Sequence, residues 1–170
     1  MKNLKSILKL GVFILFIGII VSCSKNIDPY AQYTPEREAS MIKEWKASVK
    51  SNKKMHLDST STGIYFIRDT TKVGTGPTVK AGNTVKVKYT GLFLDGSVFD
   101  DSSYHGDGTM TYVHKTDRMI QGWEEGIEVL SKGGAAGFLI PSAKGYGTTG
   151  SGSIPPNTPL VFIIEVLDIK

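Results

Sequence analysis

Strict alternation of side-chain character between residues 84 and 90 is the feature that most limits how this chain can fold. Val85, Val87 and Tyr89 alternate with threonine and lysine, which is the two-residue period of a strand that buries one face. Segments rich in β-branched or aromatic residues recur at 63–70, 109–114, 135–140 and 160–169. Together these segments predict an antiparallel sheet.

Asp95-Gly96 follows the alternating segment, and this dipeptide is a strong signal for a hairpin with a two-residue turn. The residues after it, 97–100, are then expected to fold back as the next strand. Counted together, the segments predict a curved antiparallel sheet of about five strands.

One segment departs from the strand pattern and predicts a short helix. Between residues 119 and 130 the apolar side chains at helical spacing are Ile120, Trp123, Ile127 and Leu130. The segment also contains Gly122 and Gly126, although glycine weakens a helix by ~1 kcal/mol at each position, and Gly133 lies near its expected end. We therefore expect Trp123 to pack on the concave face of the sheet, with the two glycines setting the distance of approach. The fold class is α+β, a sheet wrapped around one short helix.

A second helix is predicted to precede the sheet. Thr34-Pro35 provides a capping hydroxyl and a proline at the first helical position, and two glutamates follow in the first turn. Met41, Ile42 and Trp45 form an apolar stripe with no obvious place in the main core. We interpret the segment as a solvated spacer helix, and a partner-binding or dimerising helix is the alternative.

The first 22 residues predict an export signal. They contain three lysines and then an apolar run of twelve residues, shorter than the ~20 residues of a membrane-spanning helix. Residues 20–23, Ile-Val-Ser-Cys, resemble a bacterial lipobox, in which the cysteine carries lipid such as palmitate and becomes the first residue of the mature chain. Ser24 resembles an outer-membrane sorting signal. We expect a lipid-anchored protein of the bacterial cell envelope, at the outer membrane and facing the periplasm.

The predicted organisation is a lipoprotein signal peptide at 1–22, a lipid-anchored linker with the spacer helix at 23–57, and a folded domain at 58–170. Cys23 is the only cysteine, so the exported chain forms no internal disulfide. Loss of the three signal lysines lowers the formal net charge from +4 to +1. This charge gives no reason to expect a nucleic-acid partner.

Motifs for other chemistry fail in context. Residues 145–150, GYGTTG, match the dinucleotide-binding pattern, but a serine- and proline-containing loop follows where that pattern requires a helix. His56, His105 and His114 are widely separated and have no cysteine partner in the domain. The serines lack a G-x-S-x-G elbow. We therefore predict no metal and no cofactor.

Six aromatic side chains remain for a site: Tyr89, Phe99, Tyr112, Trp123, Tyr146 and Phe162. Spacing alone favours a core role for them, because sheet proteins bury aromatic residues routinely. Their neighbours favour a site. The stretches VKYTGLFLDGSVFDDSS, MIQGWEEGIEVLSKGG and IPSAKGYGTTGSGSIPPNTPLVFIIEVLDI are similar, in order and spacing, to the FK506-binding (FKBP) type of peptidyl-prolyl cis/trans isomerase over about residues 60–170.

The resemblance implies an FKBP-like fold and a role for each matching residue. It places the pocket floor at Trp123, an acidic group at Asp100 and the main-chain N–H that meets a ligand carbonyl at Ile120. The implied walls are Tyr89, Phe99, Ile120, Tyr146 and Phe162. Further substrate-binding positions are Met110, where the family has phenylalanine, and Tyr112, Met119 and Ile154.

The implied activity is cis/trans isomerisation of X–Pro bonds, assisting the folding of exported proteins. The implied partners are proline-containing polypeptides, the lipid bilayer through Cys23, and FK506-like macrocycles. We expect a water-excluding pocket without acid–base catalysis, with His114 the first candidate if a group did titrate. We also expect a chain beginning near Asp58 to keep its activity. The alternative is a non-catalytic proline-binding chaperone or adhesion module tethered to the membrane.

Overall fold

The computed structural model describes residues 28–52 and 55–170. The predicted signal peptide and Cys23 lie outside the described residues. The described chain forms two α-helices, two short 3-10 turns and one seven-stranded antiparallel sheet. The helices are α1 (Pro35–Ser51) and α2 (Gln121–Ile127), and the 3-10 turns are Ser102–Tyr104 and Ser142–Lys144. The strands are β1 (Leu57–Ser59), β2 (Tyr65–Thr78), β3 (Thr84–Phe93), β4 (Val98–Asp101), β5 (Met110–Val113), β6 (Ser131–Ile140) and β7 (Leu160–Ile169).

The sheet confirms the α+β prediction, but it has seven strands where about five were expected. Strand β1 accounts for part of the difference, because its three residues are too few to show a clear alternation and no sequence segment predicted it. The strand order is β1-β2-β6-β7-β3-β4, with β5 also paired to β3. This order makes β3 and β7 neighbours, and it brings Gly91 opposite Phe162.

Helix α2 packs on β6, and its two glycines make the close approach possible. A Cβ atom at Gly126 would lie 2.9 Å from the ring of Phe138, and one at Gly122 would overlap the side chain of Ile140. The predicted role of these glycines is thus confirmed. The helix is shorter than expected, since it ends at Ile127, and Gly133 lies within β6 at a φ of +79°.

The β3–β4 hairpin forms at Asp95-Gly96, but its turn is wider than predicted. The amide of Phe93 donates to Ser97 O at 2.9 Å, and Gly96, with φ +88°, donates back to Phe93 O at 3.0 Å. Asp95 Oδ1 accepts hydrogen bonds from the Ser97 amide at 2.9 Å and the Ser97 hydroxyl at 2.6 Å. These bonds stabilise a three-residue loop ending in a left-handed glycine, which is the next commonest hairpin type.

Helix α1 begins as predicted, with the Thr34 hydroxyl accepting from the Arg37 amide at 3.2 Å. The helix is not a freely solvated spacer, however, because it lies against the rest of the chain. Val49 is buried, Met41 and Trp45 line a cleft with Leu94, and Lys46 Nζ lies 3.9 Å from the ring centroid of Tyr65. Among the residues the structure describes, no helix is both long and apolar enough to cross a membrane.

Candidate active site

A cleft of about 310 Å³ opens beside the start of α2, on the side of the sheet formed by β3, β4 and β7. Its lining residues are Tyr89, Phe99, Asp100, Met110, Arg118, Met119, Ile120, Trp123, Tyr146 and Phe162. All of these except Arg118 were singled out from the sequence. Residues from five separate elements and two loops therefore meet as one largely aromatic cavity.

The floor of the cleft is the indole of Trp123, which is 2% exposed. The rings of Tyr89 and Phe162 meet it edge-on, with centroids 5.5 and 5.4 Å from the indole. Beneath it, the indole Nε1–H donates to the hydroxyl of Tyr112 at 2.9 Å. Edge-to-face packing and the satisfied N–H hold the indole in one orientation.

Two predicted substrate-binding residues do not line the cleft. Tyr112 is buried behind the indole, and burial raises its pKa to about 12 despite the hydrogen bond from Trp123. Ile154 is buried in the hydrophobic core. Tyr112 thus supports the floor of the cleft from behind, and spacing along the sequence does not distinguish such support from direct lining.

The ring of Phe99 forms one wall. Its centroid lies 5.5 Å from that of Phe162 and 5.2 Å from that of Phe93. The ring lies on Gly91, where a Cβ atom would come within 2.6 Å of the ring carbons. Gly91 is thus the residue of β3 that allows Phe99 its position, and no sequence pattern identified it.

Asp100 is the acidic group at the edge of the cleft, and it accepts three hydrogen bonds. The hydroxyl of Tyr89 donates to Oδ2 at 2.8 Å, and the amide of Asp101 donates to Oδ1 at 2.9 Å. His105 Nε2 lies 2.8 Å from the same Oδ1. Burial alone raises the pKa of Asp100, but the hydrogen bonds from His105 and Tyr89 outweigh it and leave this pKa below its usual range.

The two tyrosines of the cleft stay protonated. Burial raises the pKa of Tyr89, and its hydrogen bond to Asp100 adds to the effect. Burial also raises the pKa of Tyr146, with a further contribution from the charge of Asp100. Both hydroxyls are therefore hydrogen-bond donors across the neutral pH range.

The main chain of Ile120 lies just before α2, with φ −65° and ψ 144°. Amides at the start of a helix have no acceptor within that helix, so they are free to donate to a ligand. The Ile120 carbonyl accepts from Trp123 and Glu124 at 3.0 and 3.2 Å. These bonds fix the peptide plane between Ile120 and Gln121, directly after the free amide.

Two site residues were missed or misassigned from the sequence. Arg118 precedes α2 in a loop without periodicity, and no pattern marked it. His105 contacts Asp100, whereas His114, the histidine preferred from the sequence, is fully buried and its Nε2 lies 3.2 Å from Glu128. The unpredicted 3-10 turn at Ser102–Tyr104 places His105 next to Asp100. In 28–52 and 55–170, no three histidine, cysteine or acidic side chains group as metal ligands.

Comparisons with known proteins match this region. A family model described as FKBP-type peptidyl-prolyl cis-trans isomerase matches residues 76–167. A probable FKBP-type peptidyl-prolyl cis-trans isomerase of Haemophilus influenzae is 40% identical over 115 residues, covering 67% of this chain and 46% of that protein. FkpA of Escherichia coli is 36% identical over 118 residues, covering 69% and 42%. The chain thus spans less than half the length of these curated relatives.

Solved structures agree in shape. The crystal structure of FkpA from Escherichia coli has a TM-score of 0.65 at 33% identity, covering 79% of this chain and 62% of that chain. A peptidyl-prolyl cis-trans isomerase from Pseudomonas syringae has a TM-score of 0.65 at 28% identity, covering 81% of this chain and 96% of that chain.

Proposed function

The chain belongs to the FKBP-type peptidyl-prolyl cis-trans isomerases, and we propose on this basis that it catalyses rotation about X–Pro peptide bonds. The observation that carries the proposal is the cleft itself, a closed aromatic floor and walls with hydrogen-bond donors at its edge. Trp123 offers a flat apolar surface on which a proline ring can rest. Its substrates are proline-containing segments of other polypeptides.

The chemistry requires only rotation. Resonance gives the X–Pro C–N bond a barrier of ~20 kcal/mol, and no bond has to break. Water stabilises the polar planar amide more than the twisted one, whose resonance is lost. A cleft walled by Phe99, Tyr89 and Phe162 excludes water and so favours the twisted amide relative to bulk solvent.

Polar groups at the edge of the cleft position the substrate. The Tyr146 hydroxyl and the Ile120 amide donate to substrate carbonyls, and Asp100 holds the ring of Tyr89 through its hydroxyl. Each ~1.4 kcal/mol of preferential stabilisation raises the rate tenfold, so a million-fold acceleration needs ~8 kcal/mol. Desolvation and positioning together have to supply that difference.

A protease-coupled assay on short X–Pro peptides tests the proposal. The protease cleaves only the trans form, so catalysis appears as faster loss of the slow cis phase. We expect acceleration that scales with protein concentration. Tight binding of the same peptides without acceleration would instead support the non-catalytic proline-binding chaperone or adhesion module, which family membership does not favour.

We further propose that the protein acts on exported clients while anchored to a membrane through lipid on Cys23. The support is the sequence of residues 1–24, with its basic and apolar signal followed by a lipobox-like Ile-Val-Ser-Cys. The placement at the outer membrane rests on Ser24. The same cleft is the expected site for a macrocycle of the FK506 type, which would compete with proline peptides.

A further inference from the structure

The loop between β6 and β7 carries Tyr146 into the cleft, and the N-terminal segment contacts the start of that loop. Ser142 follows β6 and is 4% exposed. Its amide donates to Glu38 Oε1 and its hydroxyl donates to Glu38 Oε2, both at 2.6 Å. One carboxylate of α1 thus satisfies both donors of a buried residue, and such charge-assisted bonds are stronger than neutral ones.

The N-terminal segment also contacts the end of the loop. Asn157 Nδ2 donates to the carbonyl of Tyr33 at 2.8 Å, just before the cap of α1. Asn157 has a φ of +48°, a conformation that few non-glycine residues adopt. The hydrogen bond helps to hold this residue in place. The segment from Tyr33 to Glu38 therefore contacts the loop at both of its ends.

Backbone hydrogen bonds connect Ser142 with Asn157 through the residues on either side of Tyr146. The carbonyl of Ser142 accepts from the amides of Gly145 and Gly147, at 2.9 and 2.8 Å. The carbonyl of Gly147 then accepts from the amide of Asn157 at 2.9 Å. Tyr146 lies between Gly145 and Gly147, which both take part in these hydrogen bonds. Its backbone position therefore depends on the contacts that hold Ser142 and Asn157.

Other contacts also hold the loop, because Ile154 is buried in the core and exchanges backbone hydrogen bonds with Ser151, beyond the segment that carries Tyr146. Residues 145–152 contain four glycines, which cost more conformational entropy to order than any other residue. Lys144 provides one other link, with Nζ 2.5 Å from Glu125 Oε2 on α2 and 2.8 Å from the carbonyl of Thr62. That link lies before Tyr146 in the chain, and Asn157 lies after it.

We propose that Tyr33 and Glu38 form a brace that fixes Tyr146 at the edge of the cleft, with Glu38 as a positioning residue for the isomerase reaction. This inference rests on the proposed function. It reverses the expectation that a chain beginning near Asp58 keeps its full activity, because such a chain lacks the brace.

Glu38→Ala in the full chain tests the brace, with Glu44→Ala as the matched control because Glu44 is exposed on the same helix. We expect Glu38→Ala to lower kcat/KM on a short X–Pro peptide roughly tenfold, as misplacement of a substrate-positioning group does. The control should stay within about twofold of the unsubstituted chain. Glu38→Gln keeps one acceptor oxygen and should recover most of the loss.

A double-substitution cycle separates positioning from general stability. If Glu38 acts through the Tyr146 hydroxyl, Glu38→Ala should cost much less activity in a Tyr146→Phe background than in the unsubstituted chain. Full additivity of the two losses would overturn the proposal. Ser142→Ala, which removes only the hydroxyl bond, gives a milder second variant should Glu38→Ala fold poorly, and it should show the same lack of additivity.

Amide hydrogen exchange gives a readout that does not depend on activity. Glu38→Ala should speed exchange at the amides of Gly145 and Gly147, and Glu44→Ala should not. Unchanged exchange in Glu38→Ala would overturn the brace even if activity fell. An unsubstituted chain with no activity on any X–Pro peptide would instead refute the proposed function, while the exchange comparison still decided the brace.

Discussion

At the scale of single residues, Phe99 and Tyr146 separate water exclusion from hydrogen bonding. Phe99→Ala opens a wall of the cleft, whereas Tyr146→Phe removes one hydrogen bond worth ~0.5–1.5 kcal/mol. We expect the first substitution to lower kcat/KM more than the second in the protease-coupled assay. Thermal unfolding has to be measured beside it, because Phe99 is partly buried against the core and its truncation also lowers stability. A folded Phe99→Ala protein with full activity would contradict the water-excluding cleft.

Gly91 should matter for activity as much as Phe99 does, because the ring of Phe99 lies on it. In Gly91→Ala the new Cβ would lie 2.6 Å from the ring of Phe99, so the ring must move. We expect reduced activity and a loss of ~1–3 kcal/mol in the free energy of unfolding, which is typical of overpacking. Gly137→Ala on β6 is the matched control, since a Cβ there meets nothing within 4 Å. Equal effects of the two substitutions would show that Phe99 is not held by this contact.

The pH dependence follows from the pKa directions in the cleft. Asp100 has a lowered pKa, and the pKa values of Tyr89 and Tyr146 are raised. None of these three groups changes charge between about pH 6 and 9, so we expect a nearly flat profile of kcat/KM there. The stability that the Asp100 hydrogen bonds contribute is present above the unfolded pKa of an aspartate, near pH 4, and is lost as the pH falls through the lower folded value.

His105 is the control for that prediction. It is the histidine in contact with Asp100, at 2.8 Å, so we expect the kcat/KM profile of His105→Asn to be as flat as that of the unsubstituted chain. A bend in the profile of the unsubstituted chain would contradict this prediction, and a bend that disappeared only in His114→Asn would restore the assignment made from the sequence. Measuring both variants over the same pH range distinguishes the two histidines.

At the scale of elements, the packing of α2 sets two effects against each other. Gly122→Ala improves helix propensity by ~1 kcal/mol. The new methyl group, however, would overlap the side chain of Ile140 in the neighbouring strand β6, and overpacking costs ~1–3 kcal/mol. We expect the second effect to win, with net destabilisation measured by urea unfolding. Net stabilisation of about 1 kcal/mol would mean that α2 can move away from β6 at little cost.

At the scale of the whole molecule, the proposed lipidation of Cys23 would decide where the protein works. Each buried CH₂ contributes ~0.8 kcal/mol, and two or more acyl chains make membrane attachment durable. We expect the intact mass of membrane-extracted protein to match a chain that starts at an acylated Cys23. Cys23→Ala should release the protein into the soluble fraction with its peptide activity unchanged. A mature N-terminus elsewhere would contradict the proposal.

Local interactions explain why much of this molecule can be predicted from sequence. The alternation at 84–90 produces β3. Helix α1 begins at Thr34-Pro35, where a hydrogen bond joins residues only three positions apart in the sequence. Periodicity and caps of this kind depend on neighbours along the chain, so their signals lie in short windows. Most of the cleft lining was predicted by a different route, because separated motifs resemble those of a known family.

Other features of the site depend on tertiary contacts, which short windows of sequence do not reveal. Glu38 meets Ser142 across 104 positions of sequence, and neither residue belongs to a pattern that predicts the pair. Gly91 is needed only because the ring of Phe99 lies on it, and His105 reaches Asp100 only through an intervening 3-10 turn. Pairs of this kind are set by strand order and by helix docking. Their energies arise between segments that approach one another only in the folded chain.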